Sequence, residues 1–231
     1  MGVSALLAVP TLVMVEACIV QRNAMRAVCL FHVYLLLVAV AFRIRKTSAS
    51  VRPLSPRRTR RRTELAAFAG MFAFGVVTYL FCRYLSKPQE YLGVNLTVLR
   101  TTLDDFGVRG QKSMLLFAVY FALANSFLEE TVWRGTFRRL TKKSYSSSDA
   151  LVSAAYAAYH NAIIVNLMPP WFNLLVAFPF LAFFGLLLTK VADKKGLWTA
   201  IALHAGLDAA TAFWVLDIRF GYLDPLYFVS S

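Results

Sequence analysis

The amino-acid sequence predicts an all-α fold, a polytopic transmembrane helical bundle of about seven spans. Three observations carry that prediction. The composition is 58% hydrophobic and only 16% charged, with a mean hydropathy of +0.58, whereas an ordinary soluble domain carries about 25% charged residues. Apolar runs near the length of a membrane span, about 20 residues, recur along the chain. The basic residues gather between those runs, as expected for the loops of a membrane protein.

Taken in order, the runs are 3–20, 25–42, 65–82, 113–133, 150–168, 171–189 and 197–217. The first holds Pro10 and Glu16 and is expected to be kinked or partly interfacial. It lacks the basic leading region of a cleavable signal peptide, so it is expected to remain as a span. The sixth contains Pro179, which a membrane helix tolerates when neighbours satisfy the freed carbonyl. Segment 83–112 is too polar to span and is expected to hold a short amphipathic surface helix. No internal repeat is evident. Residues 1–231 therefore read as a single integral membrane domain, with N-terminal spans in 1–42, a polybasic cytoplasmic loop at 43–64, further spans through 65–217 and a tail at 218–231.

The formal net charge is +13, and 9 of the 25 Lys and Arg residues fall between Arg43 and Arg62. With that loop cytoplasmic and all seven runs spanning, 17 basic residues lie on the cytoplasmic side against 8 opposite. The five in segment 83–112 run against the trend. The excess reads as an orientation signal and as contact between the 43–64 loop and anionic lipid headgroups, with no nucleic-acid partner. Cys18, Cys29 and Cys82 each lie within an apolar run, with no CxxC spacing. They indicate neither a disulfide framework nor a thiolate metal site.

Few ionisable residues remain inside the runs: Glu16, His32, Glu129, Glu130, His160, His204 and Asp208. A charge at mid-bilayer costs roughly 2.5–3.5 kcal/mol on insertion scales, so such groups face a bundle interior or a wet cavity. In LANSFLEETVWRG (123–135), Glu130 and Arg134 stand at i,i+4 with the acid first, the favoured order. Glu129 lies about 100° round the helix and stays outside that pair. The plain structural alternative is an ion-pair cluster at a helix end. His204 and Asp208 share a face in LWTAIALHAGLDAATAFW, and His160 lies in SAAYAAYHNAIIV. His32 is read as a packing histidine. In the seven-span topology Glu129, His160, His204 and Asp208 all fall in the cytoplasmic half of the membrane. Two imidazoles and two carboxylates around one water-filled pocket are the inventory for activating a water, with or without a metal.

These residues resemble the signature of the CPBP intramembrane proteases, which include the CAAX prenyl endopeptidases and the bacterial Abi-type proteins linked to bacteriocin self-immunity. That signature is EExxxR, then FxxxH, then HxxxN or HxxxD on later helices. Here the three are EETVWR (Glu129 to Arg134), YAAYH (Tyr156 to His160) and HAGLD (His204 to Asp208), with Tyr156 in place of the usual Phe. The resemblance covers about 125–210, within a core at 113–217; the first spans match nothing specific. It implies that Glu129 is the general base, helped by His160, and that Glu130 and Arg134 form a structural ion pair. It also implies that His204 and the residue at 208 stabilise the oxyanion. Ionised Asp208 cannot donate a hydrogen bond as Asn would, so it must be protonated, orient His204 or bind a metal. The cofactor stays open: a divalent ion such as zinc on Glu129, His160, His204 and Asp208, or none.

The expected function is an intramembrane endopeptidase that hydrolyses a peptide bond of a membrane-embedded or lipidated substrate, prenylated CAAX proteins included. A non-catalytic immunity-like or scaffolding protein of the same fold is the first alternative, and a small proton-coupled transporter the second. The short length favours a bacterial plasma membrane over the endoplasmic reticulum of a eukaryote.

Overall fold

The computed structural model describes residues 3–44, 57–86, 90–105, 107, 110–142 and 148–221. The centre of the polybasic loop (45–56) and the tail beyond Gly221 lie outside the described residues. The architecture is all-α, and the chain is an integral membrane protein. Helix α1 (Val3–Met14) runs on through a wide π-helical turn at Val15–Val20, followed by α2 (Ala24–Ile44) and α3 (Arg57–Leu85). Segment 83–112 forms a two-residue-per-strand hairpin, β1 (Glu90–Tyr91) and β2 (Val94–Asn95), then α4 (Leu96–Asp105). Leu96, Leu99 and Leu103 of α4 are buried, on one face at the helical period. The expected amphipathic helix is therefore present.

One long rod follows, built from α5 (Gln111–Tyr120), α6 (Ser126–Val132) and α7 (Arg138–Lys142). Wide π-helical turns at Phe121–Asn125 and Trp133–Phe137 join its parts. Such turns inside α-helices often mark functional sites, and these two bracket the glutamate pair. Helix α8 (Ser148–Ile164) ends in a turn before Pro169. Pro170 then opens α9 (Pro170–Phe172), which continues through a wide turn at Asn173–Ala177 into α10 (Phe178–Lys195). Proline suits that first helical position because its missing N–H has no helical partner there. Gly196, at φ +97°, separates α10 from α11 (Leu197–Phe220), a backbone conformation that L side chains rarely adopt.

Among the described residues, four helices are long and apolar enough to cross a membrane: Arg61–Leu85, Met114–Thr141, Pro170–Lys195 and Leu197–Phe220. The runs predicted at 3–20 and 25–42 are also helical, with apolar stretches at Ser4–Val20 and Arg26–Phe42 that are shorter than these four. The run predicted at 150–168 is the 17-residue α8, cut short because the chain turns at 165–168 toward Pro169 and Pro170. The third helix starts at Arg57, so the last part of the expected 43–64 loop is helical. Glu16 is not an interior charge: it is exposed at the end of the first helix, where Gln21 Nε2 donates to it over 2.8 Å.

Small residues set the spacing of the bundle. Helix α11 packs most extensively on α3, and a Cβ at Gly206 would strike the Phe68 carbonyl oxygen and sit 3.0 Å from the Phe72 nitrogen. A Cβ at Gly75 would lie 2.5 Å from that of Ala210. On the other side, Gly185 of α10 meets Ser153 of α8. Membrane helices approach closely through such residues because lipid provides no hydrophobic drive between them. The core around the site is aromatic, with Trp133, Tyr156, Tyr159, Phe31, Phe137 and Phe184 fully buried.

Candidate active site

Four helices converge on the glutamate pair. Helix α6 supplies Glu129 and Glu130, both wholly buried. The next turn supplies Arg134, whose Nη1 donates to Glu130 Oε1 over 2.7 Å and whose Nη2 donates to the Gly185 carbonyl over 3.1 Å. The guanidinium carbon lies 4.6 Å from the centre of the Tyr156 ring. The i,i+4 pair read from the sequence is thus present, and α10 also takes part.

Glu130 has a second partner. His204 Nδ1 lies 2.8 Å from the same Oε1, and a carboxylate held by an arginine can only accept, so Nδ1 carries the hydrogen. His204 Nε2 therefore points away from Glu130, 3.2 Å from the Tyr156 hydroxyl and 3.5 Å from Asp208 Oδ1. The sequence reading gave Glu130 to Arg134 alone; the structure makes it the anchor of His204 as well. The missed link joins residues 74 positions apart in the chain, and no periodicity within one helix could reveal it.

Glu129 faces the other histidine. Its carboxylate interacts with the Tyr159 hydroxyl, while Oε2 is buried with no hydrogen-bond partner. The same hydroxyl lies 3.1 Å from His160 Nε2. His160 Nδ1 lies 2.9 Å from the Tyr156 backbone carbonyl, which only accepts, so the ring donates there and Nε2 keeps its lone pair. One tyrosine proton is therefore shared between two acceptors, Glu129 and His160. The glutamates divide the histidines between them, Glu130 taking His204 directly and Glu129 reaching His160 through Tyr159.

Asp208 is held by residues absent from the sequence reading. Its Oδ2 accepts from Asn125 Nδ2 over 3.1 Å and from the Ser126 hydroxyl over 2.7 Å. Both lie in the quoted LANSFLEE stretch, where two polar residues in an apolar run were the available signal. Tyr159 gave none, since an aromatic beside a histidine is common on an apolar helix. His32 is a satisfied histidine, as expected, and its partners are Tyr120 and Asn125, the latter a partner of Asp208.

All four predicted site residues are thus brought into one region, and Glu129, His204 and Asp208 interact electrostatically with one another. The expected water-filled pocket differs in form. Glu129 and His204 are 1% exposed and Asp208 is 7% exposed, packed among aromatic rings; of the four, His160 alone keeps partial exposure. Aromatic side chains at i, i+3 and i+4 fill the space that sequence spacing had left open.

Comparison with known proteins bears directly on this arrangement. Residues 111–210 match the family model described as type II CAAX prenyl endopeptidase Rce1-like. This part of the chain is similar to the Rce1-like family. The matched segment contains all three motifs and extends from α5 to the middle of α11. It agrees with the CPBP resemblance and supports, at the level of the family, an intramembrane endopeptidase. No curated protein and no solved structure matches the chain.

The site does not fit a bound metal in this conformation. Among the described residues, no three His, Cys, Asp or Glu side chains are grouped so as to hold an ion. Three of the donor atoms are committed elsewhere: His204 Nδ1 to Glu130, Asp208 Oδ2 to Asn125 and Ser126, and His160 Nε2 to Tyr159.

Proposed function

We propose that this protein is an intramembrane endopeptidase that cuts a peptide bond near the carboxyl end of a prenylated, membrane-bound protein. One observation supports it most: each of two adjacent buried glutamates keeps one oxygen without a hydrogen-bond partner, yet Glu130 is tied through its other oxygen to Arg134 and His204, whereas Glu129 is set beside Tyr159 and His160. A charge pair built only for structure would have no use for the second carboxylate, whose burial is costly.

In the proposed reaction, Glu129 takes a proton from a water that enters beside Tyr159 and His160. The oxygen attacks the carbonyl carbon of the scissile bond. His204, carrying hydrogens on both ring nitrogens between Glu130 and Asp208, would donate from Nε2 to the oxyanion of the tetrahedral intermediate, with the Tyr156 hydroxyl beside it. Glu129 then gives its proton to the leaving amine as the C–N bond breaks, acting as base and then acid. No step needs a metal. A lipidated peptide suits a site enclosed by spanning helices, since it can arrive from the bilayer. We place the site on the cytoplasmic side and the polybasic 43–64 region against anionic headgroups, in a bacterial plasma membrane ahead of an endoplasmic reticulum.

The test is cleavage of a farnesylated CAAX peptide by purified protein in liposomes, with Glu129→Gln and His204→Ala beside the wild type. Cleavage by the wild type alone is the expected result. A folded wild type that leaves both prenylated and unprenylated peptides intact would return the protein to the scaffolding reading.

A further inference from the structure

The residues assigned to catalysis lie between 129 and 208, yet the polar chain that reaches Asp208 runs through His32, outside the segment 111–210 that the family model matches. His32 of α2 is buried, with Nε2 3.0 Å from Asn125 Oδ1 and Nδ1 2.8 Å from the Tyr120 hydroxyl. Asn125 Nδ2 in turn donates to Asp208 Oδ2 over 3.1 Å. The hydrogens of this chain are determined by its ends. A carboxylate accepts, which turns the Asn125 amide nitrogen toward Asp208 and its oxygen toward His32. That oxygen only accepts, so His32 must carry its hydrogen on Nε2. A neutral ring then has its lone pair on Nδ1, facing the Tyr120 O–H. Tyr120, His32 and Asn125 thus donate in one direction, ending on the Asp208 carboxylate next to His204.

We propose that His32 is a positioning residue for the site: acting through Asn125, it holds the Asp208 carboxylate beside His204 Nε2. A histidine that merely filled space would have no reason to present one particular nitrogen to Asn125. Buried polar chains of this kind specify a single arrangement because each unmade hydrogen bond inside a bundle is expensive. The N-terminal helices then have a definite task, which is to lock the oxyanion side of a site whose chemistry is carried by later helices. The catalytic consequence rests on the endopeptidase reading; the hydrogen-bond chain does not.

The experiment exploits the presence of only three histidines in the chain. Ring-nitrogen NMR of 15N-histidine-labelled protein in micelles should show His32 as the Nε2–H tautomer and His160 as the Nδ1–H tautomer. Asn125→Leu should perturb the His32 ring nitrogens and leave those of His160 in place. An Nδ1–H tautomer for His32, or a His32 signal indifferent to Asn125→Leu, overturns the proposal whatever the protein does to peptides. In the cleavage assay, His32→Leu should lower kcat about tenfold, the effect of one buried hydrogen bond, with KM within about twofold. His32→Gln, whose amide can stand in for Nε2–H, should recover most of the loss. The double variant His32→Leu/Asn125→Leu should be no slower than Asn125→Leu alone; losses that multiply would overturn the relay. A wild type that cleaves nothing defeats the endopeptidase reading, and the tautomer measurement still decides the role of His32.

Discussion

His204 and Glu130 are joined by a hydrogen bond of 2.8 Å between Nδ1 and Oε1. That bond ties the last helix to the glutamate pair and leaves His204 Nε2 free to face Asp208 and Tyr156. Glu130 is therefore the mechanical centre of the site, although the proposed chemistry belongs to its neighbour.

Truncating Glu130 should unfold or loosen the protein. Glu130→Ala leaves Arg134 Nη1 and the His204 Nδ1–H without their acceptor and the buried guanidinium without its counter-ion, a change that costs about 3–5 kcal/mol when one partner of a buried pair is removed. Thermal unfolding in detergent should show a large drop in midpoint for Glu130→Ala. A midpoint equal to the wild type would show that the pair carries no structural weight.

Glu129→Gln should separate activity from stability. Oε2 has no partner to lose, so the amide is accommodated with little change in the unfolding midpoint. Loss of a general base lowers the rate by about 10²–10⁴-fold, read as kcat for the prenylated peptide. Equal cleavage by Glu129→Gln and wild type would remove Glu129 from the mechanism.

The Tyr159 hydroxyl offers a milder probe. Tyr159→Phe keeps the ring, stacked on Trp133 with centroids 5.6 Å apart, and deletes the link between Glu129 and His160. A hydrogen bond to a charged group contributes about 1.5–3 kcal/mol, so the rate should fall roughly 10- to 150-fold. Tyr156→Phe, which restores the residue usual in the CPBP motif, should cost less. The reverse order of the two effects would argue against Tyr159 as the bridge.

Gly206 tests the helix crossing. Gly206→Ala drives a methyl into the Phe68 and Phe72 backbone, and overpacking of this kind costs about 1–3 kcal/mol. Because Gly206 lies between His204 and Asp208 on α11, activity should fall along with the unfolding midpoint. Gly70→Ala, where a Cβ meets nothing within 4 Å, is the control and should match the wild type in both.

Chelation addresses the metal question. With the donor atoms engaged by Glu130, Asn125, Ser126 and Tyr159, cleavage should survive incubation with EDTA or 1,10-phenanthroline. Loss of activity on chelation and its return with added zinc would show that the site rearranges to bind the ion.

The sequence alone determined that the chain is a bundle of apolar helices, because the cost of exposing backbone and charge to lipid writes itself into long apolar runs. It also determined the Glu130–Arg134 pair and the shared face of His204 and Asp208, since both are i,i+4 relations set by the pitch of one helix. Tertiary structure decided the rest. Whether Glu130 also binds His204, whether Tyr159 bridges Glu129 to His160, and whether His32 reaches Asp208 through Asn125 all depend on the separation and rotation of different helices. Those are set by close contacts such as Gly206 on Phe68 and Gly185 on Ser153, and side-chain periodicity within a helix carries no information about them.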